Sequence, residues 1–268
     1  MFRFSTGAGL AAFFVKAHLA SPIGDPMVQK DRIIVALDVP SRAAALNLAE
    51  KLAPHVGWFK IGKELFTAEG PAFVREVLSS GAKVFLDLKF HDIPNTVAAA
   101  SVAALRMGVQ MFNVHALGGS EMMRATMRRV REVAEQENLP LPVILAVTVL
   151  TSSDQHTLDE IGLKGTPPEA VSRLARLAYD SGMGGVVCSP REAAFLRDEI
   201  ADRSWAIVTP GVRPAWAEAN DQKRVLTPAE AVAVGASHLV IGRPITAHPD
   251  PVEAAQRIAE ELEQGNAT

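Results

Sequence analysis

Lys83-Val84-Phe85-Leu86-Asp87-Leu88-Lys89-Phe90-His91-Asp92-Ile93-Pro94-Asn95-Thr96 passes from apolar residues into a cluster of charge within a few positions. Residues 83–88 read as a β-strand, a short and largely apolar run of the kind that parallel strands covered on both faces require. Side chains two apart on a strand share a face, so Asp87 and Lys89 are expected to point the same way at its end. Seven runs of similar character flank it, at 33–37, 58–61, 111–114, 143–147, 185–187, 206–208 and 238–241. Longer segments of helical pattern separate them. Eight strand-then-helix units in one chain favour a closed barrel over an open doubly wound sheet, so the expected fold is a single (β/α)8 TIM barrel of the α/β class. A Rossmann-like sheet is the alternative architecture.

Helix punctuation supports this division. Pro71 opens a stretch whose Phe73, Val74, Val77 and Leu78 share one face, and Gly81 closes it. Ser189 with Glu192, Thr227 with Glu230, and Asp250 with Glu253 have capping-box-like spacing, each with proline at the next position. Gly108, Gly182 and Gly235 stand where helices should stop. Residues 29–268 are expected to form the barrel. Residues 1–28 read as an extension, disordered or preceded by a mis-assigned start with Met27 as the true initiator; a targeting segment is the other reading.

A length of 268 residues suits one large domain, and 48% apolar residues provide a sizeable core. The formal charge of −3 gives no nucleic-acid or polybasic membrane footprint. One cysteine, Cys188, excludes an intrachain disulfide and a multi-cysteine zinc site. It lies in an apolar run and reads as an inert core thiol; a reducing, cytoplasmic setting is the expectation.

In such a barrel the chemistry sits at the C-terminal ends of the strands. Asp38, Lys60, Asp87, Lys89, His115, Thr151, Pro210 to Arg213, and Gly242-Arg243 all fall at or just after those ends. An isolated Asp-x-Lys would most simply be a salt bridge closing the barrel top. With Lys60 and Asp38 converging on the same mouth, the set becomes an alternating charge array, costly to bury unless paired or used. The loops after the seventh and eighth strands commonly bind phosphate, and Gly242 with Arg243 suits that role. There is no His-Glu-x-x-His, no clustered Cys/His set, no Gly-x-Ser-x-Gly elbow and no Gly-x-Gly-x-x-Gly, so neither a metal nor a dinucleotide cofactor is expected. His91 and His115 lie near the mouth and read as structural or supporting residues.

Residues 87–96 resemble the signature of bacterial orotidine 5'-monophosphate decarboxylases. Ala36-Leu37-Asp38, Phe59-Lys60-Ile61-Gly62, Val149-Leu150-Thr151-Ser152, Pro210-Gly211-Val212-Arg213-Pro214 and Ile241-Gly242-Arg243-Pro244 extend the likeness in the family's order. The resemblance implies Lys89 as proton donor to C6 of the pyrimidine, and Asp87 beside the departing carboxylate. It implies Lys60 on the ribose and in the charge network, and Asp38 on a ribose hydroxyl. Asp92 and Thr96 would reach across a homodimer interface into the partner's site. Thr151 would contact the pyrimidine, Gln222 would bridge base and phosphate, and Arg213, Gly242 and Arg243 would hold the phosphate end, with 213–222 acting as a lid. The resemblance implies no cofactor. A magnesium-dependent sugar-phosphate decarboxylase or hexulose-phosphate synthase is the alternative; those relatives resemble one another in an acidic residue near the end of strand two, where this chain has Lys60. A noncatalytic nucleotide-binding barrel is a third reading.

Overall fold

The eight apolar runs form eight strands: β1 (Ile33–Ala36), β2 (Trp58–Gly62), β3 (Lys83–Phe90), β4 (Met111–His115), β5 (Val143–Val147), β6 (Gly185–Val187), β7 (Ala206–Pro210) and β8 (His238–Ile241). Each pairs in parallel with the next, and β8 returns to β1 to close the barrel. The closed sheet excludes the open Rossmann-like alternative. This computed structural model describes residues 27–217 and 226–265. The expectation of an N-terminal extension therefore lies, for residues 1–26, outside the described residues, as do residues 218–222 of the expected lid, Gln222 among them.

The barrel interior follows from the two-residue period of the strands. Ile34, Trp58, Phe85, Met111, Leu145 and Val240 form one buried cluster. The alternate residues, among them Val35, Phe59, Val84 and Phe112, belong to the larger cluster between sheet and helices. That helical layer comprises α1 (Arg42–Leu52), α2 (Lys63–Ser79), α3 (Pro94–Met107), α4 (Gly119–Gln136), α5 (Gln155–Glu160), α6 (Pro167–Asp180), α7 (Pro190–Glu199), α8 (Pro228–Ala233), α9 (Arg243–Thr246) and α10 (Pro251–Gly265). Burying an aromatic or aliphatic side chain stabilises the fold by roughly 1.5–3 kcal/mol, so this two-layer core is the main source of stability.

Local signals behave as their chemistry requires. Gly70, at φ 68°, breaks α2 into two helical segments, and Pro71 starts the second. Phe73, Val74 and Val77 from that segment are buried, and Leu78 packs partly buried beside them. The boxes at Ser189/Glu192 and Thr227/Glu230 form, and Asp250 accepts from the backbone N–H groups of Val252 and Glu253. A further box, Thr166 with Glu169, caps α6. At the base of the barrel the His238 ring stands edge-on to Trp58, centroids 5.8 Å apart. Burial, with Arg32 and Lys83 nearby, pushes His238 from its ordinary 6.5 to about 4.

Candidate active site

Two inward rows bring the first charges to the mouth. On β2, Lys60 follows Trp58 on the inner face; on β3, Asp87 follows Phe85. Lys60 is register-paired with both Ala36 and Phe85, one layer below the level at which Gly62 meets Asp87. The Lys60 ammonium lies 3.1 Å from Asp38 Oδ1 and 3.6 Å from Asp87 Oδ2. Lys60 is only 9% exposed along its side chain and Asp87 13%, so both charges depend on these partners.

Lys89 arrives by a different geometry from simple alternation. Between β3 and β4, Leu86 pairs with Phe112 and Phe90 with Val114, so three residues of β3 face the single residue Asn113. The chain bulges there, and Lys89 adopts φ 53°, in the left-handed region. For a residue with a Cβ such a conformation costs about 1 to 3 kcal/mol and persists only where its surroundings enforce it. Here the Lys89 backbone N–H, displaced from the ladder, donates to Asn113 Oδ1 at 2.7 Å. The Lys89 ammonium reaches Asp87 Oδ1 at 2.6 Å. The bulge thus places the ammonium where the expected alternation would also have aimed it, but the strand no longer alternates at that point.

Asp87 is the hub of the array. Its Oδ1 accepts from Lys89 Nζ and from Asn113 Nδ2 at 2.7 Å, while Oδ2 faces Lys60. Burial alone would raise this carboxyl. The Lys60 and Lys89 ammoniums, with hydrogen bonds from Lys89 and Asn113, outweigh burial and hold it below the usual carboxylate range. Asn113 was not singled out by its sequence, although it is the one amide within Met111-Phe112-Asn113-Val114, and it is fully buried.

Above the array lies a cavity of about 230 Å³. Lys60, Asp87, Lys89 and Thr151 line it together, against apolar walls that include Phe85 and Val187. Cys188 is fully buried on its border, where burial pushes the thiol well above its ordinary value and keeps it a protonated wall residue. Beside the mouth the rings of His91 and His115 stack with centroids 5.4 Å apart. Burial, the neighbouring His91, and the cations Lys89 and Lys63 lower His115 to about 4. Among the described residues no His/Cys/Asp/Glu cluster is suited to hold a metal, and no helix is long and apolar enough to cross a membrane.

The remaining expected site residues are dispersed around the rim. Gly242 is the N-cap of α9 and Arg243 its exposed first residue, while Arg213 follows β7 and its backbone N–H donates to Leu226 O at 3.1 Å. None of the three lines the cavity. Asp92 and Thr96 are exposed and also lie outside it; Asp92 Oδ1 accepts from the Ile93 N–H at 2.6 Å.

Residues 31–258 match the model of the orotidine 5'-phosphate decarboxylase / HUMPS family. An orotidine 5'-phosphate decarboxylase of Moorella thermoacetica is 57% identical over 238 residues, covering 88% of this chain and 94% of that protein. One from Syntrophotalea carbinolica is 54% identical over 234 residues, covering 87% and 95%. Among solved structures, the orotidine 5'-phosphate decarboxylase of Lactobacillus acidophilus superposes with a TM-score of 0.75 at 39% identity, covering 86% of this chain and 98% of that one.

Proposed function

Because the chain belongs to the orotidine 5'-phosphate decarboxylase / HUMPS family, we propose that it is an orotidine-5'-phosphate decarboxylase whose cavity converts orotidine 5'-monophosphate to uridine 5'-monophosphate and CO2, with Lys89 as the acid. The observation that supports this reading best is the continuous line of alternating charge Asp38–Lys60–Asp87–Lys89, of which Lys60, Asp87 and Lys89 line the cavity.

Breaking the C6–CO2 bond leaves an electron pair in an orbital that the pyrimidine ring delocalises poorly. The Lys89 ammonium, fixed by Asp87, stabilises that charge where it develops, without reorganisation at the moment of reaction. It then donates a proton to C6, and the electron pair becomes the new C–H bond. Asp87, held ionised, faces the departing carboxylate, and apolar walls exclude water around it. Lys60 and Asp38 bind the ribose, and Thr151 contacts the base. Arg213, Gly242, Arg243 and Gln222 hold the phosphate, whose remote binding energy drives closure over the reacting carbon. The reaction needs no cofactor, since the protein's own cation serves as the sink.

The active unit is a homodimer in which Asp92 and Thr96 complete the partner's array. Both are exposed at the start of α3, beside Ile93, which is 66% exposed. An open groove of about 780 Å³ runs between α3 and α4 from that point, lined by Asn95, Ala98, Arg124 and Arg128 among others. The hexulose-phosphate synthase reading is disfavoured by Lys60, a cation where a magnesium site would need a carboxylate.

The test is the ultraviolet absorbance change on conversion of orotidine 5'-monophosphate, with EDTA present. Turnover in EDTA supports the assignment. Absence of turnover by folded protein, with activity on a sugar phosphate plus magnesium, would overturn it.

A further inference from the structure

Resting on the decarboxylase reading above, we propose that Asn113 is a positioning residue for the reaction: one amide fixes both the carboxylate of Asp87 and the backbone that carries Lys89. Three observations converge on it. Asn113 is the single β4 residue opposite the three-residue bulge Asp87-Leu88-Lys89. Its Oδ1 accepts the Lys89 backbone N–H at 2.7 Å, replacing the ladder hydrogen bond that the bulge removes. Its Nδ2 donates to Asp87 Oδ1 at 2.7 Å, the same oxygen that receives the Lys89 ammonium.

The amide suits this place because it offers an acceptor and a donor from one planar group. Leucine would fill the space and satisfy neither partner. An ionised aspartate would keep the acceptor but set a second negative charge against Asp87. Lys60 from β2 and Lys89 from β3 are the cations around Asp87, with Asp38 beyond Lys60; Asn113 is the neutral partner that β4 supplies. Without the amide, the left-handed turn at Lys89 loses the bond that holds it, and the ammonium loses its fixed origin.

The experiment measures kcat and KM for orotidine 5'-monophosphate across pH, together with uridine 5'-monophosphate affinity, in wild type, N113A and N113D checked for native circular dichroism. The expected result for N113A is a fall in kcat of roughly 10- to 100-fold, the effect of losing an oriented hydrogen bond to a charged group. KM and product affinity should move much less, because Asn113 does not line the cavity. N113D is expected to be slower still at neutral pH and to recover as pH falls. Protonation lets its carboxyl group donate to Asp87 as the amide does, with the two carboxyls titrating as a pair. N113A has no such group and shows no acid recovery. A wild-type kcat in N113A, or a loss in N113D that persists at every pH, overturns the proposal; if N113A fails to fold, the pH response of N113D decides. An inactive wild type would instead overturn the decarboxylase reading itself, so the two failures are distinguishable.

Discussion

Asp87 sits at the point where Lys60, Lys89 and Asn113 meet, and its loss should be felt in stability as well as in rate. Asp87→Ala would leave Lys60, nearly buried, facing Lys89 with Asp38 as the one ion-pair partner left to Lys60 among the described residues. Breaking a buried pair in this way costs about 3 kcal/mol or more, and urea titration of the variant should show that loss alongside loss of turnover. The pH dependence separates this carboxyl from the histidines. Asp87 is depressed in the fold, so the stability it contributes is present above its unfolded value of 3.8 and is lost only as pH falls through its lower folded value. His115 and His238 are also depressed, to about 4 from 6.5, and for a histidine the sign differs. Below pH 6.5 the unfolded chain takes up protons that the folded chain refuses, so stability falls between pH 6.5 and about 4. Thermal midpoints should decline across that window, and His238→Phe, which keeps a ring against Trp58, should flatten the slope. An unchanged slope would mean that His238 takes up its proton as readily in the fold as in the unfolded chain.

At the scale of elements, close packing between neighbouring strands sets narrow tolerances. Gly185 on β6 is register-paired with Ala206 on β7, and a Cβ there would strike the Ala206 carbonyl oxygen and lie 2.7 Å from Ala206 Cβ. Gly185→Ala should therefore cost about 1–3 kcal/mol, as overpacking does, measurable as a lower urea midpoint with unchanged m-value. Thr166→Ala, which removes one half of the α6 capping box, should cost about 1 kcal/mol. The strands were legible because their apolar runs are short and well separated; every observed strand overlaps its expected run, with ends shifted by no more than two residues. The β3 bulge was not legible. Leu88 and Phe90 continue an alternating pattern with Asp87 and Lys89, so periodicity predicts a straight strand. The register shift lies opposite β4, where its displaced N–H is met by a side-chain amide that local pattern cannot pair with its distant partner. A lone Asn inside the apolar run of β4 was the available signal, since a buried amide needs partners.

For the molecule as a whole, the barrel brings residues from β2, β3 and the loop after β5 around one cavity, while Asp92 and Thr96 remain outside it. Sequence order alone could place Lys60, Asp87, Lys89 and Thr151 together, because each lies near the C-terminal end of a strand, or just after it, in a closed sheet whose strand ends converge. It could not place Asp92, whose proposed role depends on a second chain. If the site is shared, mixing Asp92→Ala with Lys89→Ala subunits should restore one intact site per heterodimer, and activity should recover once exchange is complete. Sedimentation should show a dimer at assay concentration; a fully active monomer would contradict the shared site.

Lys89 is the residue on which the proposed chemistry turns. The most direct measurement is the single-turnover rate of Lys89→Ala on saturating orotidine 5'-monophosphate, with uridine 5'-monophosphate affinity measured in parallel. The expected result is a rate lowered by at least about 10⁴-fold, the combined effect of losing a general acid and a preorganised cation, with product affinity largely kept. A variant that turns over within tenfold of wild type would contradict the assignment of Lys89 as the acid.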